Sequence, residues 1–250
     1  MAGLHEIVAR LDEHLEAQRF SDAALNGLQV EGRATVGRVA LGVSASLQLF
    51  RAAIDWGADA ILVHHGLFWG APVPVVGPLA IRLRSLLEAE ISLIAYHIPL
   101  DAHPVDGNNA VLARRLSLGD LEPWGAYRGK TIGTLGRTEL ITADELIERA
   151  ALVCGSTPLV FGPRRADITS VAVCTGSAGS MIEQAIASKA DALITGEPGE
   201  PAQQLALESG TLVIGAGHYN TERFGVEALG ERLAQELGVE VRFFDIPNPV

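Results

Sequence analysis

The sequence predicts an α/β fold made of two similar α/β halves. From residue 36 onward, short apolar segments alternate with amphipathic segments, a pattern typical of chains whose strands pair mainly in parallel. Hydrophobic residues form 48% of the 250 positions and charged residues 20%, as in packed globular proteins rather than disordered chains. An internal repeat divides the chain into predicted halves of residues 1–125 and 126–250.

The elements are predicted in order along the chain. Residues 3–18 form an amphipathic helix because Leu4, Ile7 and Leu11 recur at helical spacing. A turn follows at Asn26. The predicted strands are residues 38–43, 59–63, 91–96, 131–135, 168–174, 191–195, 211–216 and 239–244. Helices alternate with them, near residues 46–56, 78–90, 107–116, 142–153, 178–188, 200–208 and 221–237.

Two details refine this order of elements. Thr142 and Glu145 have the spacing of a capping box, which predicts that a helix begins there. Residues 117–130 are mixed in character and rich in turn-forming residues. We interpret them as the passage between the two halves.

The repeat is clearest in two strand–turn–helix–strand units. A shift of 132 residues places Val39 on Val171, and it places Ala58-Asp59-Ala60 on Ala190-Asp191-Ala192. We therefore predict an internal β-α-β duplication with pseudo-twofold symmetry.

A second match follows the third strand of each unit. A shift of 121 places His97 on His218 and Asp101 on Glu222. Each half therefore carries a His-x-x-x-acid motif directly after an apolar strand.

Net charge and cysteine content restrict the function classes. The formal net charge of −11 repels phosphate backbones, so nucleic-acid binding is not expected. Two cysteines suit a reducing compartment, and the N-terminus shows no secretory signal pattern. The apolar runs are too short to span a bilayer. We expect a soluble cytoplasmic protein.

Polar side chains cluster just past the carboxyl ends of the predicted strands, where open α/β sheets bind ligands. They are His64, His65, His97, Asp101, His218 and Glu222. Imidazole and carboxylate ligands favour zinc, iron, manganese or cobalt over calcium or magnesium. Adjacent residues of an extended segment point to opposite sides, so His64 and His65 suit two ions better than one. The sequence predicts two divalent transition-metal ions per chain, in a cleft between the halves.

Some roles stay open at this point. His97 is either a metal ligand or an acid–base group beside the water between the ions. Glu197 replaces His65 in the second copy and either faces the same cavity or caps the following segment. Phe68 and Trp69 suit either stacking on a flat base or packing within the protein. Gly176–Ser180 is a small-residue turn whose backbone suits either a phosphate or ordinary chain reversal.

At these residues the sequence resembles the NIF-three-like dinuclear-metal family, whose bacterial members are commonly named GTP cyclohydrolase 1 type 2 homologues. The matching motifs run in family order over most of the chain. They are Asn26-Gly-Leu-Gln-Val30, His64-His-Gly-Leu-Phe-Trp69, Tyr96-His-Ile-Pro-Leu-Asp101, Asp191-Ala-Leu-Ile-Thr-Gly-Glu197 and Gly217-His-Tyr-Asn-Thr-Glu222. The chain departs from the family at Ile98-Pro99, where a Thr-Asn or Thr-Pro pair is common.

The resemblance implies a ligand set and an assembly. It implies that His65 and Asp101 bind one ion, that His64 and His218 bind the other, and that Glu222 bridges the two. It also implies a toroidal homohexamer whose metal sites face the interior.

The family label further implies attack of an activated water at the purine C8 of GTP, ring opening and loss of formate. Such chemistry needs an acid–base group, for which His97 is the candidate, and a clamp for the triphosphate. Within the metal motifs the only basic residue besides histidine is Arg223, next to Glu222, so GTP itself is weakly supported.

The leading hypothesis is a dinuclear metal-dependent hydrolase, similar to GTP cyclohydrolase 1 type 2, acting on a nucleotide or related small molecule. One alternative is a non-catalytic metal-binding or regulatory ring protein. Another is a two-metal phosphoesterase.

Overall fold

The computed structural model describes residues 1–250 and divides them into two compact units. The first unit comprises Met1–Leu100 and Val226–Pro247, and the second comprises Asp101–Gly225 and Asn248–Val250. These units differ from the predicted halves 1–125 and 126–250. The reason is a long-range pairing, because the last strand of the chain pairs with the strand that begins at Arg38.

The strands form two main sheets and one small pair. In chain order they are β1 (Ala2–Gly3), β2 (Gly27–Val30), β3 (Thr35–Val36), β4 (Arg38–Ser44), β5 (Ala60–His65), β6 (Ser92–Ala95), β7 (Gly119–Tyr127), β8 (Lys130–Ile141), β9 (Leu159–Phe161), β10 (Ile168–Cys174), β11 (Ala192–Thr195), β12 (Leu212–Gly215) and β13 (Glu240–Phe243). All the predicted strands are present. The short strands β1, β2, β3 and β9 carry too few residues to show a pattern.

The helices connect these strands. They are α1 (Leu4–His14), α2 (Leu47–Trp56), α3 (Gly77–Ala89), α4 (Ile98–Ala102), α5 (Asn108–Arg115), α6 (Ala143–Cys154), α7 (Ile182–Ala187), α8 (Ala202–Ser209) and α9 (His218–Leu237). Helix α6 begins with the predicted capping box between Thr142 and Glu145. No helix combines the length and the apolar character that a bilayer span requires.

The observed local structure differs from the prediction at several places. Helix α1 ends at His14 rather than near residue 18, and helix α7 begins at Ile182 rather than near residue 178. Residues 117–130 are not a turn-rich passage, because they contain strand β7, which pairs antiparallel with β8. Helix α4 was not predicted, since its five residues are too few for periodicity. Helix α9 begins at His218, earlier than the predicted start near residue 221.

The first unit is a five-stranded sheet covered by helices. Its strand order is β13-β4-β5-β6-β2, with β2 antiparallel at one edge and the others parallel. Successive residues of β4 face opposite sides, so Val39 and Leu41 pack with α1 residues and Ala40 packs with residues of α2 and α3. The two apolar faces explain why this strand reads as a continuous hydrophobic run.

The second unit is a six-stranded mixed sheet. Its order is β7-β8-β10-β11-β12-β9, and its only parallel pairings are β10 with β11 and β11 with β12. One core cluster joins this sheet to α5, α6 and the start of α9, and it includes Leu112, Leu146 and Phe224.

Strand register tests the alignment of the repeat. Val39 pairs with Ala60, and Val171 pairs with Ala192, as a shift of 132 requires. At the third strand, Ala60 pairs with Ser92 and Ala192 pairs with Leu212, a shift of 120 rather than 121. The register therefore does not support the alignment of His97 with His218, and the duplication itself stays a prediction.

Candidate metal centre

Three imidazoles lie together in the first unit, at the carboxyl ends of two parallel strands. His64 and His65 are the last residues of β5, and His97 follows β6 by two positions. Their ligand nitrogens all lie within 4.8 Å of one another. The ring centroids of His64 and His97 are 5.1 Å apart. This group could hold a metal ion.

Hydrogen bonds at Nδ1 orient the first two imidazoles. His64 is buried, and its Nδ1 lies 2.8 Å from the carbonyl oxygen of Tyr96. A carbonyl only accepts, so Nδ1 carries the proton and Nε2 carries the lone pair that a metal needs. His65 Nδ1 lies 3.2 Å from Ser44 Oγ. Both contacts fix ring orientation in the way that metal-binding histidines require.

A loop before β2 holds His97. Its Nδ1 lies 2.9 Å from Asp22 Oδ1, and its backbone N–H donates to Asn26 Oδ1 over 2.8 Å. The other oxygen of Asp22 accepts the backbone N–H of Ile98 at 3.0 Å. Burial raises the pKa of Asp22, but the hydrogen bond and charge of His97, with further hydrogen bonds from Ala24 and Asn26, lower it more. The net pKa lies well below its usual value, so Asp22 is a carboxylate at neutral pH.

Sequence reasoning missed Asp22. Its only sequence signal is the spacing Asp22-x-x-x-Asn26, in which one side chain hydrogen-bonds the other at 3.0 Å. The sequence predicts Asn26 only as a turn residue, whereas in the structure its side chain also accepts a hydrogen bond from the backbone N–H of His97.

The second unit places a histidine beside two carboxylates. His218 and Glu222 lie one turn apart on α9, with His218 Nε2 3.0 Å from Glu222 Oε2. His218 Nδ1 contacts Glu197 Oε1, so Glu197 faces this group rather than only capping its own segment. Burial lowers the pKa of His218, but hydrogen bonds and charge from Glu222 and Glu197 outweigh it and raise the pKa to about 9. The two carboxylates therefore favour a positive charge here.

Asp101 is held in the same unit by polar side chains. Its Oδ1 accepts hydrogen bonds from Asn108 Nδ2 at 2.9 Å and from Thr175 Oγ1 at 3.3 Å. Burial raises the pKa of the Cys174 thiol, and the charges of Asp101 and Glu222 raise it further. Both carboxylates thus act on one buried position at the end of β10, and the thiol stays protonated and inert.

Glycine at position 176 makes room for Glu222. Gly176 follows β10 with a φ of +67°, and a Cβ there would lie 2.0 Å from Glu222 Oε1 and 3.4 Å from His218 Nε2. Its backbone N–H donates to Thr221 Oγ1 at 3.2 Å. The start of the small-residue turn therefore accommodates a carboxylate, which is a role that its sequence did not indicate.

These residues fit divalent transition metals. The first unit offers imidazoles, with the tautomer of His64 fixed by a carbonyl oxygen, and the second offers imidazole with buried carboxylates. This mixed nitrogen and oxygen donor set is typical of zinc, iron, manganese and cobalt sites. The first unit therefore has a group of histidines that could bind a metal ion, and the second unit has an imidazole beside a carboxylate with the same kind of donor atoms.

Two cavities of the second unit lie beside Glu197. Their volumes are about 490 Å³ and about 440 Å³, and both are lined by Glu197, Pro198 and Gly199. No lysine or arginine lines either cavity. Arg223 is not a phosphate clamp here, because its guanidinium stacks 5.3 Å from the Phe224 ring and donates to a backbone carbonyl.

Comparisons with known proteins identify relatives over almost the whole length. The model of the family described as Duf34/NIF3 (NGG1p interacting factor 3) matches residues 2–249. A Deinococcus radiodurans protein named GTP cyclohydrolase 1 type 2 homolog is 43% identical over 247 residues, covering 98% of this chain and 94% of that protein. A Pseudomonas aeruginosa protein of the same name is 43% identical over 250 residues, covering 98% of each chain.

Solved structures show the same fold. A structure described as protein ybgI, of unknown function, superposes with a TM-score of 0.92 at 39% identity and covers 100% of both chains. The protein TTHA1606 from Thermus thermophilus gives a TM-score of 0.91 at 40% identity, again with 100% coverage of both. These matches confirm the resemblance indicated by the motifs, and the chain belongs to the Duf34/NIF3 family.

Proposed function

We propose that this protein is a dinuclear metal-dependent hydrolase that acts on a nucleotide or a related small molecule. The observation that carries the proposal is the set of three oriented imidazoles, His64, His65 and His97, with ligand nitrogens within 4.8 Å. The names of the relatives, GTP cyclohydrolase 1 type 2 homolog, support a reaction of the hydrolase class.

In this proposal five residues bind two ions. His65 and Asp101 bind one, His64 and His218 bind the other, and Glu222 serves both. The fixed tautomer of His64 and the close contact of His218 with Glu222 support these assignments. When bound, such a pair of ions polarises a substrate oxygen and acidifies water.

Two further residues of this chain have supporting roles, one in proton transfer and one in orienting the ring of His218. Asp22 binds Nδ1 of His97, so Nε2 points away from that contact. Nε2 is therefore the atom through which His97 exchanges a proton with the reacting group. Glu197 accepts from His218 Nδ1 and so orients the ring. We include in the proposal a toroidal homohexamer, as the family resemblance implies, and a cytoplasmic location, as the low cysteine content indicates.

The test is metal content per chain, measured by plasma mass spectrometry on protein purified without a histidine tag. We expect roughly two transition-metal equivalents in the wild type and a marked loss in Glu222→Gln. The matched control is Glu231→Gln, an exposed carboxylate on the same helix, which should keep the wild-type content.

The outcome selects among the candidate functions. Near-zero metal that titration cannot restore contradicts the dinuclear site. Full metal content without turnover of a nucleotide panel favours the non-catalytic metal-binding or regulatory ring protein. Turnover of simple phosphodiesters favours the two-metal phosphoesterase.

A further inference from the structure

Trp69 is a large aromatic side chain that the first unit leaves exposed beside its histidines. It is 40% exposed, whereas the other Phe, Tyr and Trp side chains of this unit are buried or partly buried. Its ring centroid lies 4.9 Å from that of His97, with an interplanar angle of 72°. It lies 5.9 Å from the ring of His65. Part of the indole therefore faces solvent next to two of the imidazoles.

The indole is held in place. Its Nε1 donates to the carbonyl oxygen of Gly66 over 3.0 Å. The backbone of Trp69 forms an antiparallel β-bridge with Ala24, and the next N–H, of Gly70, donates to the carbonyl oxygen of Ala23 over 2.7 Å. An exposed aromatic face on fixed backbone loses little conformational freedom when a ligand covers it.

The same loop also holds His97. Residues 22–26 bind Trp69 through Ala24, and they bind His97 through the side chains of Asp22 and Asn26. One short segment therefore sets both the position of the indole and the position of the imidazole. Such common anchoring keeps an aromatic surface and a proton-exchanging group at a constant separation.

We propose that Trp69 is a stacking platform that holds a planar heteroaromatic ring of the substrate beside His97. This inference rests on the proposed function, since it names the substrate class of that site. Stacking on an indole attracts any flat ring through its π-face and needs no positive charge. That mode of binding suits a chain of net charge −11.

The geometry also explains why the ring would lie near His97. Stacked rings have centroids about 4.5–7 Å apart. Because the centroids of the indole and the imidazole are 4.9 Å apart, a ring stacked on the exposed part of the indole would lie close to the imidazole of His97. Trp69 therefore positions the ring, and His97 acts on it.

The experiment is a titration of tryptophan fluorescence with guanosine, adenosine and nicotinamide, with ribose 5-phosphate as the non-aromatic probe. We expect saturable quenching by the flat probes and none by ribose 5-phosphate. Calorimetry should show that Trp69→Leu weakens guanosine binding about 5- to 150-fold, the range of base–aromatic stacking, while Trp69→Phe retains most of it. Trp56→Phe is the matched control, because Trp56 packs edge-on against Phe244 elsewhere in the unit and should leave quenching intact.

Several results would overturn the inference. They are absence of quenching by every flat probe, equal guanosine affinity in Trp69→Leu and wild type, and ribose 5-phosphate binding as tight as that of guanosine. If Trp69→Leu changes only the oligomeric state, the indole belongs to a contact between copies of the chain, and the platform is wrong.

Metal content measured on the same samples separates this inference from the proposed function. Trp69→Leu should keep the metal content of the wild type. Absence of stacking with metal retained contradicts only the platform, whereas quenching without any metal contradicts only the dinuclear hydrolase.

Discussion

The two units build their candidate ligand groups from different chemistry. The first unit presents imidazoles at strand ends, where hydrogen bonds to Tyr96 and Ser44 orient the rings. The second unit presents carboxylates and one imidazole, with Glu222 on the first turns of a helix and Gly176 leaving space for it. Neutral ligands can be buried at little electrostatic cost, whereas buried carboxylates need a positive partner. The second group therefore depends more strongly on a cation than the first.

Replacing Gly176 by alanine tests the carboxylate group and should have the largest effect. The added Cβ would lie 2.0 Å from Glu222 Oε1, so the carboxylate must move. We expect Gly176→Ala to lose most of its bound metal. Its free energy of unfolding should also fall by more than the roughly 1–2 kcal/mol that a left-handed φ alone costs an alanine.

Gly155 provides the control for backbone strain. Its φ is +70°, close to the +67° of Gly176, but no atom lies within 4 Å of the position of its Cβ. Gly155→Ala should therefore lower the free energy of unfolding, measured in urea, without changing metal content. Wild-type metal content in Gly176→Ala would show that the space beside Glu222 is unimportant.

The sequence predicts much of this site because strand ends can be read from apolar patterns. His64, His65 and His218 each follow a continuous apolar run, and the structure places each at or just beyond a strand end. Asp22 could not be predicted in this way. It precedes a short, irregular strand, and it reaches His97 only through tertiary folding. Local patterns give no information on such contacts between distant parts of the chain.

The fold shows the same limit. Parallel strands such as β4, β5 and β6 are buried on both faces and appear as continuous apolar segments. Strand β7 lies at a sheet edge, contains Pro123 and is mostly exposed without regular alternation, so its sequence predicts turns rather than a strand. The pairing of β13 with β4 depends on residues about 200 positions apart, which no local pattern reveals.

Replacing Asp22 by asparagine tests the imidazole group of the first unit. The variant keeps the shape of the side chain but loses the charge that faces His97. The carboxylate of Asp22 accepts hydrogen bonds from the backbone N–H groups of Ala24 and Ile98. We expect Asp22→Asn to cost about 1–3 kcal/mol of unfolding free energy at neutral pH, with metal content unchanged.

The pH dependence identifies the charge as the cause. Because the pKa of Asp22 is lower in the folded than in the unfolded state, its contribution is complete above the unfolded pKa of about 3.9. It disappears as the pH falls toward the folded pKa. The difference in unfolding free energy between wild type and Asp22→Asn should therefore be constant from neutral pH down to about pH 4 and then shrink. A difference that stays the same in strong acid would contradict a role for the ionised carboxylate.

Asp59 and Asp191 occupy corresponding positions of the repeat, one in each unit, and replacing them should have the smallest effects. Asp59 Oδ2 accepts the backbone N–H groups of Gly37 and Arg38 at 2.8 and 3.0 Å. Asp191 Oδ2 accepts those of Thr169 and Ser170, both at 3.0 Å. The residues of the two sets differ by 132 positions, the shift of the sequence repeat. A shared geometric role thus explains why the repeated Ala-Asp-Ala segment carries an aspartate.

If the units derive from one β-α-β segment, the two aspartates should contribute alike. We expect Asp59→Ala and Asp191→Ala each to lower the free energy of unfolding by about 1–3 kcal/mol, because each leaves two strand-start N–H groups without their acceptor. Each carboxylate also faces a partly exposed arginine, Arg33 at 3.5 Å and Arg165 at 3.3 Å, and such ion pairs add little. Urea unfolding of both variants measures the costs. Asp191 also accepts the hydroxyl of Thr169 at 3.1 Å, which adds about 1 kcal/mol on its side. Costs that differ by more than about 2 kcal/mol would therefore weaken the interpretation of the repeat as a duplication.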